Sequence, residues 1–334
     1  MAKYGWGFLG LGDIVKRMMT ALPYVPNAIL AGAASRDADK AKAFAKEYGF
    51  AKSYGNYTEC INDPDVHILY IATPHPMHVS LAIEALEAGK AVLCEKPPAV
   101  NADEMKRIAD CARKNNTFFM EGMWTRFFPV NRAIKEIIDS GKTGQITLIE
   151  ADFGFGSWNG DRSVFPPRLY DAHLAGGSLL DVGIYTASYC DYMKNGLKPV
   201  KIEAVASKIE SGVDGMIAFV MQYPDGCLSV QRAAIVQTTR MCAMIYCEKC
   251  TIEVPGFWHP TKAFITWNDA NTETIDIPLV QGIGEGFYYE CEEVMRCLDA
   301  GLKESPLLTL DDSIRVMEQL DTVRARTGIR YPFE

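Results

Sequence analysis

The sequence predicts two fold classes in succession. An α/β doubly wound parallel sheet comes first, and an α+β region with a large, mainly antiparallel open sheet follows. Three observations carry this reading. Short apolar runs alternate with amphipathic helical patterns from Tyr4 to Met120. After Glu121 the chain changes to runs of alternating apolar and polar residues, separated by turn signals. The length, 334 residues, exceeds what one core ordinarily supports. The boundaries drawn from this change are 1–122 and 123–334.

Each element has a local reason. Residues 4–10 form an apolar run, and a helical pattern follows to Leu22. Residues 28–34 are apolar again, and 37–48 read as an Ala/Lys-rich helix capped by Asp37. Residues 66–72 form a third strand. Residues 77–87 have helical periodicity, closed by Gly89 at a C′ position. Residues 91–94 are a strand, and Asn101 caps a helix to Asn115 with Asp103 and Glu104 in its first turn. Residues 117–120 complete the parallel set. In the second part, 129–140 is helical and 145–153 is a strand. The runs 200–209, 215–223, 227–235, 239–247, 263–267 and 272–277 then read as antiparallel strands. Pro224-Asp225-Gly226 and 268–271 supply turns between them. Residues 179–192, 287–301 and 310–327 read as helices.

Composition excludes several classes. Apolar content of 48% and charged content of 23% are those of a globular protein. A net charge of −8 argues against a general nucleic-acid surface. No apolar run has the length of a membrane span, and no signal peptide is visible, which predicts a cytoplasmic protein. Ten scattered cysteines read as reduced, mostly buried thiols. The Cys247-Glu248-Lys249-Cys250 spacing reads as a hairpin turn, because no further zinc ligands stand nearby. The Tyr48-to-Lys52 spacing, used elsewhere by short-chain dehydrogenases, reads as chance.

Chemistry concentrates at the strand ends. Gly10-Leu11-Gly12 follows the first strand and opens a helix with Asp13 and Ile14, the context that dinucleotide binding requires. The third glycine position falls on Val15. At the end of the second strand, Ser35-Arg36 replaces the acid that would bind a ribose 2′-hydroxyl. Ser35 removes a repelling carboxylate and Arg36 can pair with a 2′-phosphate, so NADP(H) is preferred and NAD(H) remains usable. Glu95-Lys96-Pro97 ends another strand and aims an ammonium at the crevice where such sheets bind ligands. In the second part, Asp181 and Tyr185 stand four apart and are expected to share one helix face. A carboxylate beside a phenol can handle a proton, although a dipole-stabilised Asp and a packed Tyr would show the same pattern.

Together these residues resemble the glucose–fructose oxidoreductase/inositol dehydrogenase (Gfo/Idh/MocA) family over essentially the whole chain. The matching motifs are Gly10-Leu11-Gly12, Ala34-Ser35-Arg36, Thr73-Pro74 with His78, and Glu95-Lys96-Pro97. His75-Pro76, the stretch from Glu121 to Pro129, Arg168-Leu169-Tyr170-Asp171 and the stretch from Leu180 to Tyr185 resemble the dimeric dihydrodiol dehydrogenase and NADP-linked D-xylose dehydrogenase branch. The resemblance implies a Rossmann first domain, an oligomerising second domain, and a homodimer or higher homo-oligomer through the second-domain sheet. It implies that Lys96 lies by the nicotinamide and that Tyr185 donates or accepts the proton. Asp181 would orient Tyr185 or the substrate, and Trp124 would wall the substrate. Arg126, Thr73, Pro74, His78 and Glu95 would lie with the cofactor. No metal set is seen. The expected activity is hydride transfer between NADP and a small sugar (aldose) or cyclic vicinal diol. Reduction of a dicarbonyl or deoxysugar competes within the enzymes, and a catalytically silent NADP-binding sensor competes outside them.

Overall fold

The computed structural model describes residues 3–156, 165–280 and 285–334. The chain divides into two compact units. One runs to Trp124 and includes Leu279–Ile314; the other comprises Thr125–Pro278 and Arg315–Glu334. The return of 279–314 to the first unit is a grouping that periodicity does not reveal.

In the first unit the order is β1 (Tyr4–Leu9), α1 (Asp13–Met18), β2 (Ala28–Ala34), α2 (Ala38–Tyr48), β3 (Lys52–Tyr54), α3 (Tyr57–Ile61), β4 (Ile68–Ile71), α4 (His78–Glu87), β5 (Ala91–Glu95), α5 (Ala102–Asn115) and β6 (Phe119–Gly122). The six strands form one parallel sheet in the order β3-β2-β1-β4-β5-β6. Its strands are nearly continuous apolar runs because helices cover both faces. The expected caps are present. Asp37 accepts from the Lys40 amide at 3.0 Å, and Asn101 accepts from the Glu104 amide at 2.9 Å. Gly89 takes a left-handed φ of 74° just beyond α4. Sequence periodicity does not show β3 and α3. A three-residue edge strand and a five-residue helix are too short to carry a period. Tyr48 ends α2, whereas Lys52 opens β3 and pairs with Asp63 and Asp65 at 2.7 and 2.8 Å.

The second unit contains α6 (Pro129–Asp139), β7 (Ile146–Gly154), a π-helical turn (Leu179–Gly183) running into α7 (Ile184–Met193), and the strands β8 (Lys201–Lys208), β9 (Asp214–Gln222), β10 (Leu228–Ala234), β11 (Cys242–Cys247), β12 (Cys250–Pro255), β13 (Lys262–Trp267) and β14 (Thr272–Asp276). They form one eight-stranded sheet in the order β14-β13-β12-β11-β7-β10-β9-β8, antiparallel except where β7 pairs with β10. Cys247 and Cys250 flank the two-residue turn between β11 and β12, and all ten cysteines are free thiols. One sheet face is buried, with Ile149, Phe219, Ile245 and Ile265 in the core. Two further helices follow, α8 (Phe287–Asp299) and α9 (Leu310–Thr327). No described helix is long and apolar enough to cross a membrane.

Candidate active site

In the first unit the strand order reverses between β1 and β4, and such a switch point is where doubly wound sheets bind ligands. The two turns at this point lie side by side. Gly10 has φ +89°, and a Cβ there would stand 2.7 Å from the Ala72 carbonyl oxygen and 3.1 Å from Thr73 Cγ2. Only glycine fits this turn. A Cβ at Gly12, by contrast, would meet nothing within 4 Å, which leaves the backbone open to close approach. Gly12 precedes α1, whose first residues are Asp13 and Ile14; Asp13 pairs with Lys16 at 3.0 Å. Val15, in place of the third glycine, is fully buried. Thr73 Oγ1 is buried and has no hydrogen-bond partner among the described residues. The open backbone at Gly12 and the orphaned hydroxyl of Thr73 fit a dinucleotide.

At the end of β2, the buried Ser35 accepts from the Asp37 amide at 3.1 Å, while Arg36 is exposed. The Arg36 guanidinium is close enough to the Tyr57 phenol at the start of α3 to favour its phenolate; burial raises that phenol and Arg36 partly offsets the rise. Sequence reasoning missed Tyr57, because α3 left no periodic signal.

The Thr73 and Lys96 turns are joined through His78. Its Nδ1 lies 2.8 Å from the Pro97 carbonyl oxygen and its Nε2 lies 2.8 Å from the Thr73 carbonyl oxygen. Carbonyls only accept, so a doubly protonated ring satisfies both and a neutral ring satisfies one. The ring of His75 is 5.8 Å away. Pro74 leads into the short 3-10 turn His75–Met77. Lys96 is half-buried just beyond β5. The carboxylate of Glu95 accepts from the Tyr70 hydroxyl and is buried. Glu290 on α8 lies nearby: Glu95 pairs in register with Gly122, and a Cβ on Gly122 would be 3.6 Å from Glu290 Oε2. Neither oxygen of Glu290 has a hydrogen-bond partner among the described residues. Burial, and then the charge of Glu95, push its carboxyl well above the usual range. The ring of Trp124 packs against that of Phe287, tilted by 32° with centroids 4.4 Å apart, and the Arg17 guanidinium is 5.7 Å from the Trp124 ring.

In the second unit Asp181 sits inside the π turn and Tyr185 in the first turn of α7. The 3.6-residue period that predicted a shared face therefore does not run across the pair. Asp181 is buried and pairs with Arg168 at 3.0 Å; the ring of Tyr185 is buried 5.4 Å from that of Phe153. Arg126 is also buried. Its Nη2 donates to Asp191 Oδ2 at 3.0 Å, its Nε donates to Ser188 Oγ at 3.3 Å, and the guanidinium stands 4.9 Å from the Tyr192 ring. Arg315 donates to both oxygens of Asp191 at 2.7 and 2.8 Å, and Gln319 adds a bond at 3.3 Å. Among the described residues no group of three metal-ligating side chains stands together.

Known proteins share this organisation. The model of an oxidoreductase family with an NAD-binding Rossmann fold (GFO/IDH/MocA) matches residues 4–123, and that of the GFO/IDH/MocA C-terminal domain matches residues 131–253. A trans-1,2-dihydrobenzene-1,2-diol dehydrogenase of Sus scrofa is 35% identical over 347 residues, covering 98% of both chains. The Homo sapiens protein of the same name is 33% identical over 332 residues, again covering 98% of both. Among solved structures, an aldose-aldose oxidoreductase from Caulobacter crescentus complexed with glycerol superposes with a TM-score of 0.86 at 25% identity, covering 98% of both chains. A levoglucosan dehydrogenase in complex with NADH and levoglucosan gives the same TM-score, 0.86, at 20% identity over 98% of both chains, a likeness of fold.

Proposed function

The chain belongs to the Gfo/Idh/MocA oxidoreductase family and is an NAD(P)-dependent dehydrogenase acting on CH–OH groups; from that premise we propose that it prefers NADP and acts on a cyclic vicinal diol or an aldose. The observation that carries the substrate class is the likeness, along the full chain and at 35% identity, to proteins named for a cyclic vicinal diol. The exposed Arg36 guanidinium, standing near the Tyr57 phenol where an acid would select NAD, supports the cofactor preference.

Lys96 and Tyr185 are the proton-handling groups of this reading, and Asp181 orients the phenol or the substrate. When bound, the nicotinamide supplies the hydride chemistry. The protein's part is to take the hydroxyl proton as the C–H bond breaks. A free phenol titrates near pH ~10, so a phenol base acts at neutral pH only where its surroundings favour the phenolate. In the reductive direction the same phenol returns the proton to the new alkoxide. Trp124 serves as a substrate wall. Gly10, Gly12, Asp13, Ile14, Ser35, Arg36, Thr73, Pro74, His78 and Glu95 make up the cofactor side, and the cytoplasm is the expected compartment.

The half-exposed face of the second sheet supports association with a second copy. Val205, Met216, Val220, Leu228, Val230 and Phe264 are exposed, and the strand register puts all of them on one face. Charging Val220 and Val230 would convert a dimer to a monomer in analytical ultracentrifugation, and an unchanged sedimentation coefficient would remove this assignment.

The activity test is absorbance of reduced nicotinamide with a panel of cyclic diols, inositols and aldoses. Lys96→Ala and Tyr185→Phe are expected to lose turnover and keep nucleotide binding, and near-wild-type turnover in either variant sinks the assignment. Arg36→Ala is expected to weaken NADP far more than NAD. Equal weakening of both refutes the 2′-phosphate argument.

A further inference from the structure

The segment that carries Asp181 and Tyr185 begins at Gly176-Gly177-Ser178, and its start is held from a distant strand. Asp214, the first residue of β9, is fully buried. Its Oδ2 accepts from Ser178 Oγ at 2.7 Å and from the Leu179 amide at 2.6 Å. Helix starts leave amides without partners, and a neighbouring side chain in the sequence usually satisfies one. Here Ser178 makes no such bond to its own helix. A residue 35 positions further on caps Leu179 instead.

The fit between this carboxylate and the backbone is close. Gly177 has φ +111°, and a Cβ on it would stand 2.2 Å from Asp214 Oδ1. No side chain other than hydrogen is compatible with both the φ and that distance. The same glycines hold the turn that carries Arg168. The Gly177 amide donates to the Leu169 carbonyl at 2.9 Å, and the Gly176 amide donates to the Asp171 carbonyl at 2.9 Å. The Gly176 carbonyl accepts from the Tyr331 hydroxyl at 3.1 Å. Arg168 then reaches Asp181. A shift at the start of the segment therefore displaces both members of the Arg168–Asp181 pair and, one turn later, Tyr185.

We propose that Asp214 is a positioning residue for the reaction: it pins the Gly176-Gly177-Ser178 start and so fixes where Asp181 and Tyr185 stand. The inference rests on the proposed role of Tyr185. It assigns Asp214 no contact with substrate or cofactor. Misplacing a reacting group by about 1 Å costs on the order of 100-fold in rate.

The test compares Asp214→Ala, Asp214→Asn and Gly177→Ala in the full-length protein. Nucleotide affinity is read by fluorescence titration and turnover by nicotinamide absorbance. Asp214→Ala removes both accepted bonds and is expected to lower kcat roughly 10- to 100-fold with nucleotide affinity unchanged. Asp214→Asn keeps one oxygen that can accept both bonds and is expected to restore most of that loss. Where the alanine variant does not fold, Gly177→Ala displaces the carboxylate rather than deleting it and is expected to give the same split. A folded Asp214→Ala or Gly177→Ala with wild-type kcat overturns the proposal, and so does Asp214→Asn falling as far as Asp214→Ala. Failure of the Tyr185 role shows itself separately, as full turnover in Tyr185→Phe.

Discussion

Arg126→Met separates a structural role for this side chain from the cofactor role that the family resemblance implies. The structure commits the guanidinium to Asp191 Oδ2 at 3.0 Å and Ser188 Oγ at 3.3 Å, over the ring of Tyr192. Methionine keeps most of the aliphatic stem and removes the charge. Asp191 is not stranded by the change, because Arg315 still holds both its oxygens and Gln319 holds one. The loss then includes the bond to the Asp191 carboxylate, about 1.5–3 kcal/mol, the bond to Ser188, about 1 kcal/mol, and a cation–π contribution of about 1 kcal/mol. Asp191→Asn is the harsher change. It removes a buried carboxylate bonded to the guanidiniums of both Arg126 and Arg315, and breaking such a buried pair costs about 3–5 kcal/mol. Denaturant midpoints of the two variants and of the wild type, with the nucleotide KM measured on each, test both numbers. The expected order of stability is wild type, Arg126→Met, Asp191→Asn, with the nucleotide KM of Arg126→Met within about twofold of wild type once the enzyme is folded. A stability loss under about 0.5 kcal/mol together with a tenfold rise in nucleotide KM would refute this reasoning and return Arg126 to the cofactor.

Other expectations follow from the buried carboxyls. Burial pushes Asp214 up to about 6, above its ordinary value, so the folded chain holds a proton that the unfolded chain has released. Its contribution to stability is complete below about pH 4 and is lost as pH rises through about 6, a change of about 3 kcal/mol; Asp214→Asn should flatten this slope in melts across that window, and a persistent slope contradicts the argument. Glu290, also raised by burial, has the same sign. Its contribution is lost as pH rises through its elevated folded value, so the melting temperature of Glu290→Gln should fall less with rising pH than that of the wild type. Equal falls in the two proteins would contradict the argument.

Much of this protein is written in short windows of its sequence. The strand–turn–helix context of Gly10-Leu11-Gly12, the caps at Asp37 and Asn101, the Cys247–Cys250 hairpin and the span of α9 each depend on a few neighbouring residues. Periodicity and capping act over one or two turns, so a single stretch of sequence suffices to read them. Most of the second sheet was legible in the same way, from alternation and turn residues, but β12 was not read as a strand.

What tertiary structure decided are the partnerships between distant segments. Arg36 was legible as a cation at the end of β2, but its Tyr57 partner belongs to a helix too short to announce itself. His78 was legible as part of a motif, and only the packed chain shows its ring joining the carbonyls of Thr73 and Pro97. Arg126 was read toward the cofactor, and only the packed chain shows that it also bonds the Asp191 carboxylate of α7. Asp214 and Glu290 carried no local signal. Their significance arises from burial against Gly177 and beside Glu95. The sequence by itself determined which elements form and which chemical groups end them. Packing determined which of those groups meet and which hold a proton, because desolvation and hydrogen bonding across the fold depend on neighbours that no local pattern records.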